Sequence, residues 1–157
     1  MRERILRRVQ VLDAPLDEAF ELFSRAENLE AITPPLLKFR FASDPPEEME
    51  IGTLIRYRLK VHGVPVSWLT RIQAWDPPHG FVDQQLKGPY ALWHHTHSFE
   101  PIDGGERTRM VDIVRYGHRF GPLGTIAEHL LVKRDLDRIF DFRRDTIPGL
   151  LTAGAAY

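Results

Sequence analysis

Apolar and polar side chains alternate through the middle of the chain, while the two ends follow helical spacing. From Thr53 to His62, Ile55, Tyr57, Leu59 and Val61 oppose Arg56, Arg58, Lys60 and His62, the period of two of a half-buried strand. After Gly63, Val64 to Trp75 continues with Val66, Trp68, Thr70 and Ile72 on one side and Ser67, Arg71 and Gln73 on the other. Asp76-Pro77-Pro78-His79-Gly80 turns into Phe81 to Leu86, and Lys87-Gly88-Pro89 turns into Ala91 to Glu100. Asp103-Gly104-Gly105 is a strong hairpin signal before a last strand, Thr108 to Tyr116. Arg4 to Leu12 reads as a further strand, with Ile5, Val9 and Val11 on one side and Arg4, Arg8 and Gln10 on the other. Arg7 and Leu12 break its alternation. Leu37 to Ala42 is a short strand.

Ala14-Pro15 opens a helix: proline suits the first turn, where its missing N–H is no loss, and Asp17 and Glu18 sit at the positive helix end. Leu16, Ala19, Phe20 and Phe23 form its buried stripe. A second short helix is expected from Ala26 to Ala31, stopped by Pro34-Pro35. Gly121-Pro122-Leu123-Gly124 leads into a long helix from about Thr125 to Arg144. Ile126, Ala127, Leu130, Leu136, Ile139 and Phe140 form its apolar face, Pro148-Gly149 ends it, and a loose tail follows. One domain of α+β class results: a curved antiparallel sheet of about six to seven strands around one long helix.

Composition narrows the function classes. The 157 residues carry 21 basic and 22 acidic side chains, a net charge of -1. That balance has no electrostatic footprint for nucleic acid or an anionic membrane. With no cysteine, disulfides and thiolate chemistry are excluded. No apolar run is long enough to span a bilayer, and Met1-Arg2-Glu3-Arg4-Ile5 does not open a secretory signal, so the cytoplasm is the expected location. Three Trp and nine Phe fit either a dense core or an aromatic-lined pocket. The serines lie in no nucleophile elbow, and no phosphate loop is present.

One constellation carries candidate chemistry. His95 and His97 are two apart on a strand and share a face with Trp93 and Phe99, while His94, Thr96 and Ser98 form the wetter face. With Gly104 and Gly105 at the centre of the hairpin, facing positions sum to about 209. His97 then lies opposite Asp112, Phe99 opposite Met110, His95 opposite Val114 and Trp93 opposite Tyr116. A slip of one residue would turn Arg109 or Arg115 inward, at high cost. Two imidazoles and a carboxylate therefore face an inward aromatic surface. They fit a structural network in which His97 satisfies Asp112, a patch that orients a ligand, or a metal or acid–base site. Tyr57, Trp68, Thr70 and Tyr116 are further inward candidates. Which of Asp83, Gln84 and Gln85 faces in is open, because the Lys87-Gly88-Pro89 turn is not a two-residue loop. His118 reads as a surface histidine.

The element order, the opening Ala14-Pro15-Leu16-Asp17-Glu18-Ala19-Phe20-Glu21-Leu22-Phe23, and the segments Phe81-Val82-Asp83-Gln84-Gln85, Gly88-Pro89-Tyr90, Trp93 to Phe99 and Tyr116 to Gly124 carry a resemblance. They are similar to the START and pollen-allergen-like superfamily (SRPBCC), and to a bacterial ligand-binding, polyketide cyclase-like subgroup of it. The resemblance implies a helix-grip fold with a hydrophobic cavity between sheet and C-terminal helix. The expected function is binding of a small apolar molecule such as a lipid or polyketide-like compound. Expected ligand contacts are Tyr57, Trp68, Trp93, His95, His97, Phe99, Asp112, Tyr116 and Leu130. No cofactor, no bound metal and no catalytic residue are assigned, and a monomer or a homodimer is expected. Two alternatives stand beside this: an aromatase/cyclase- or dehydratase-like enzyme using a pocket histidine, and a protein-interaction module with a filled cavity.

Overall fold

The computed structural model describes residues 2–118 and 126–154. In chain order it contains strand β1 (Arg4–Leu12), helix α1 (Leu16–Ser24) and short 3-10 turns at Ala26–Leu29 and Pro35–Leu37. Strands β2 (Arg40–Phe41), β3 (Leu54–Val61), β4 (Val64–Asp76), β5 (Gly80–Lys87), β6 (Tyr90–Ile102) and β7 (Arg107–His118) follow, then helix α2 (Ile126–Gly154). The strands form one antiparallel sheet in the order β1-β7-β6-β5-β4-β3-β2. The long helix packs on its inner face, giving a helix-grip α+β fold. The expected turn Gly121-Pro122-Leu123-Gly124 and the end of the tail lie outside the described residues.

Local chemistry sets the hairpins. Val61 faces Val64 across a two-residue turn in which His62 and Gly63 both have positive φ, 50° and 77°, the geometry that matches strand twist. At the β6–β7 turn, Ile102 faces Arg107, so the loop is longer than a two-residue hairpin. It is centred on Gly104 and Gly105 all the same, and the facing positions sum to 209 as the sequence implies. His97 faces Asp112 and Trp93 faces Tyr116.

Two apolar clusters hold the layers together. One gathers Leu12, Ala19, Phe20, Ile55, Ile72, Phe81, Phe99, Met110 and Ile147. The other joins Val114 and Tyr116 of β7 to Leu136 and Phe140 of α2. Phe20 is the hub of the first, with Trp75, Phe81 and Phe99 ring centroids 5.4, 6.0 and 5.5 Å away. Burying a side chain of this size contributes about 1.5–3 kcal/mol.

Several elements depart from sequence expectation. The second helix is only the 3-10 turn Ala26–Leu29, and Leu37 to Ala42 splits into a 3-10 turn and the two-residue β2. In β1 the apolar-looking side, Ile5, Val9 and Val11, is exposed, whereas Arg8 and Gln10 turn towards α2. Arg8 reaches Asp141 at 2.7 Å and Asp137 at 2.9 Å, so paired carboxylates on the helix decide which face is inner. His118 is buried between Tyr90 and Tyr116.

Helix α2 does not stop at Pro148 but continues to Gly154. Proline lacks the N–H that would bond the carbonyl four residues earlier, here Arg144. Gln10 supplies the missing donor, its Nε2 lying 2.9 Å from the Arg144 carbonyl oxygen. Gln10→Ala is therefore expected to cost about 0.5–1.5 kcal/mol, the range of one hydrogen bond. In a Pro148→Ala background, where the helix regains its own donor, that cost should fall towards zero. A double-mutant cycle in urea measures this; equal costs in both backgrounds would refute the compensation.

Candidate functional site

A cavity opens between the inner sheet face, the C-terminal half of α2 and the segment following α1. Its volume is about 120 Å³. On a measure in which one water occupies roughly 10–15 Å³, that is room for a compact molecule of one or two rings. Tyr57, Trp68 and Trp93 make one aromatic wall, with Tyr57 stacked on Trp68 at 5.7 Å and Trp93 edge-on to Trp68 at 5.3 Å. Leu29, Ile32, Leu37 and Met49 also line it, with Phe39 packed on Tyr57 at 5.0 Å. Asp83, His95 and His97 form the polar part of the wall, with Thr70 and Arg143 beside them.

Strand register brings the polar group together. His95 and His97 project inward from β6, Asp83 lies opposite His95 across β5–β6, and Asp112 lies opposite His97 across β6–β7. Gly80 permits the β5 backbone to approach, since a Cβ there would stand 2.3 Å from the His97 carbonyl oxygen. At the far end of that hairpin, Gln85 folds back, its Nε2 donating to the Tyr90 carbonyl at 2.8 Å and its Oε1 accepting from the Tyr90 N–H at 3.2 Å. Those bonds stand in for ladder bonds where the strands splay around Gly88-Pro89, so Asp83 and Gln85 share the inner face.

His95 Nε2 lies 2.7 Å from Asp112 Oδ1, and His97 Nε2 lies 2.6 Å from Asp83 Oδ2. The remaining nitrogens cross over: His95 Nδ1 is 3.6 Å from Asp83 Oδ2, and His97 Nδ1 is 3.2 Å from Asp112 Oδ1. The last contact is too poorly aligned for a hydrogen bond, and His97 Nδ1 is buried without one. The imidazoles stack on each other at 3.7 Å, and Phe81 stacks on the far side of His97 at 4.1 Å.

Burial penalises charge on all four groups, and the pairings decide the outcome. On His97 that penalty is outweighed by Asp112 and Asp83, so its pKa is raised. On His95 burial, reinforced by the neighbouring His97, lowers it. Asp112 is buried too, yet both histidines hold its carboxyl well below the usual range, and Asp83 is lowered by His95, His97 and Arg143. The pairings therefore favour the carboxylate form of both acids and push the two histidines in opposite directions. Burial also pushes the Tyr57 and Tyr90 phenols up, so both stay protonated.

Of the ligand contacts expected from sequence, Tyr57, Trp68, Trp93, His95 and His97 line this cavity. Phe99 does not; it is buried against Phe20 and Phe23. Tyr116 packs into the cluster with Leu136 and Phe140. Leu130 is 62% exposed, because the inner stripe of α2 runs through Leu136, Phe140 and Ile147. Asp112 sits behind the histidines, on a smaller neighbouring cavity. Sequence reasoning missed Asp83 as a member of the group, because the irregular Lys87-Gly88-Pro89 turn does not fix the register that sets it against His95. It also missed Arg143 and the apolar segment around Pro34-Pro35, whose residues follow no period.

Residues 12–141 match the family described as polyketide cyclase / dehydrase and lipid transport. The chain belongs to that family. A comparison with curated proteins found no match. Among solved structures, the fold is similar to that of the Zhui aromatase/cyclase from Streptomyces sp. R1128, at 19% identity and a TM-score of 0.75, covering 96% of this chain and 94% of that one. A START superfamily protein from Mycobacterium smegmatis aligns at 11% identity and TM-score 0.72, covering 95% and 97%. Ara h 8.0201 aligns at 16% identity and TM-score 0.65, covering 97% and 99%. At these identities the likeness establishes the fold. Among the described residues no helix is long and apolar enough to cross a membrane.

The raised and lowered pKa values give a signed pH dependence. His97 contributes stability that is full below its unfolded value near 6.5 and is lost as pH rises through the higher folded value. Asp83 and Asp112 contribute stability that is full above about 4 and lost as pH falls. His95, kept neutral, likewise favours the fold less as pH falls below about 6.5. In chelator-treated protein, imidazole NMR should show His97 titrating above 6.5 and His95 below it. Asp83→Asn should shift the His97 titration downwards and flatten the loss of stability above pH 6.5. A His97 titration below 6.5 in the wild type would contradict the charge assignment.

Proposed function

We propose that the protein binds a small, mainly aromatic or apolar molecule in the cavity between sheet and helix, with an oxygen-bearing end turned to Asp83, His95 and His97. The observation that carries this reading is one polar cluster set into an otherwise apolar, aromatic-walled cavity. Binding sites of small molecules have that composition: apolar walls and a few placed polar groups. Two further features support an acceptor-bearing ligand. Trp68 Nε1 and Arg143 Nε, both on residues of the cavity wall, are buried with no hydrogen-bond partner, and a buried orphan donor gains from an acceptor. The family's description, spanning lipid transport and polyketide cyclisation, is consistent with such a guest.

The test is a titration with one- and two-ring phenols and ketones, followed by quenching of Trp68 and Trp93 fluorescence. Trp93→Ala should weaken binding roughly tenfold or more, equivalent to about 1.4 kcal/mol. His97→Gln should weaken an oxygenated ligand while leaving its deoxygenated analogue nearly unchanged. If neither substitution alters affinity while both proteins stay folded, the cavity is not the binding site.

A second reading, an acid–base enzyme of the cyclase or dehydratase type, draws support from one specific feature. The paired environments push the two histidines in opposite directions, His97 towards holding its proton and His95 towards releasing it, which is the pattern that lets an acid and a base coexist near neutral pH. His97 would donate a proton to a carbonyl or leaving hydroxyl, and His95 would accept one. Under this reading His97→Gln loses at least about 100-fold in turnover while ligand affinity changes less. Retained turnover in that variant would dismiss it.

A further inference from the structure

We propose that Asp83, His95 and His97 form a mononuclear site for a divalent transition-metal ion of the zinc or iron(II) class, open towards the cavity. One atom from each, His95 Nδ1, His97 Nε2 and Asp83 Oδ2, converges on a common point. Asp83 Oδ2 stands 3.6 Å from the first nitrogen and 2.6 Å from the second, and suitable donor atoms of the three residues all lie within 4.8 Å of one another. Bonds of about 2.1 Å in a tetrahedral centre separate neighbouring donors by roughly 3.4 Å. The 3.6 Å separation already matches that spacing, and the Asp83–His97 contact would open by somewhat under an ångström. Two imidazoles and one carboxylate suit zinc or iron(II), while magnesium and calcium prefer all-oxygen sites.

The independent support comes from Asp112. Its Oδ1 faces the other nitrogen of both rings, 2.7 Å from His95 Nε2 and 3.2 Å from His97 Nδ1. Metal-bound histidines characteristically present their second nitrogen to a carboxylate, which fixes ring orientation and strengthens the donor. Here one carboxylate hydrogen-bonds His95 and stands beside the second nitrogen of His97, and Phe81 stacks on the His97 ring. A network built only to satisfy Asp112 would not need a second carboxylate on the opposite side of the same two rings. Asp83, His95 and His97 all border the cavity, whereas Asp112 borders a separate cavity behind them. The open coordination positions thus face the space where a guest would sit, and the ion would supply a Lewis acid there. The carboxylate ligand differs from the one that sequence reasoning offers: Asp83 ligates, and Asp112 is a positioning residue. The site stands whether or not the cavity takes an apolar guest, because the ion alone tests it.

Chelator-treated protein is titrated with Co²⁺, a spectroscopic substitute for zinc, and the visible ligand-field bands are recorded. The expected result is saturation at one equivalent, displacement by Zn²⁺, and at least a tenfold loss of affinity in Asp83→Asn and in His95→Gln. Asp112→Asn should keep the stoichiometry but lose roughly 10–100-fold in affinity, and His94→Gln, on the outer face, should bind as the wild type does. Because the cluster is buried and a variant can fail to fold, the wild type is also followed by imidazole nitrogen NMR with Zn²⁺. His95 Nδ1 and His97 Nε2 should move to metal-bound shifts. Absence of ligand-field bands, affinity unchanged in folded Asp83→Asn, or metal-bound shifts on His62 or His79 in place of His95 and His97 would overturn the site.

Discussion

Carboxylates enclosed by a protein sheet must find donors or give up their charge, and this fold is arranged so that two of them keep it. Asp83 and Asp112 flank a pair of stacked imidazoles, and each ring spans the gap between the two acids. That arrangement depends on backbone register across three strands at once. A one-residue slip in either hairpin would turn Asp83 or Asp112 to the outer face and leave the histidine it bonds buried without that partner. The cluster thus specifies the registers of β5–β6 and β6–β7 as much as the registers build the cluster.

The cavity follows from where the helix is held rather than from an absence of side chains. Leu136 and Phe140 dock α2 on β7, and the Arg8 bridges fix it to β1, both on one side of the sheet. On the other side, the aromatic wall of Tyr57 and Trp68 is met by the segment around Pro34-Pro35 and not by the helix. An exposed contact, His62 Nε2 to Asp135 at 2.8 Å, ties the tip of the β3–β4 hairpin back to α2. The irregular pairing of β4 with β5 around Gln73 also matters. It turns Trp75 inward, out of step with Trp68, Thr70 and Ile72, so that its ring packs on Phe20 and Phe81 beneath the cavity.

Much of this was legible in the residues. Strict alternation identified the inner faces of β3 and β4, and the glycine pair at the β6–β7 turn gave the pairing of His97 with Asp112 although the loop is longer than the tightest hairpin. Other features escaped for identifiable reasons. Asp83 could not be oriented from its turn, because Gln85 side-chain bonds replace the ladder there. The faces of β1 were misjudged in character, since Arg8 is drawn inward by two aspartates that lie more than a hundred positions away. Leu130 was assigned inward because helical spacing in an amphipathic stretch leaves the exact stripe open, and only packing against Val114 and Tyr116 selects Leu136 and Phe140.

The pairing of β1 with β7 has a consequence for how the chain is made. Every ladder partner of β1 lies between Thr108 and Tyr116, and its helix contacts, Asp137, Asp141 and Arg144, come later still. During synthesis β1 therefore emerges well before any of its partners. At a typical elongation rate of about 5–20 residues per second, it waits several seconds with Leu6 and Leu12, which the finished fold covers, in water and both backbone edges unpaired. Exposed apolar surface and unpaired strand edges of this kind are what make incomplete chains prone to aggregate, so the order of synthesis places the burden of protection on the interval before β7 and α2 arrive.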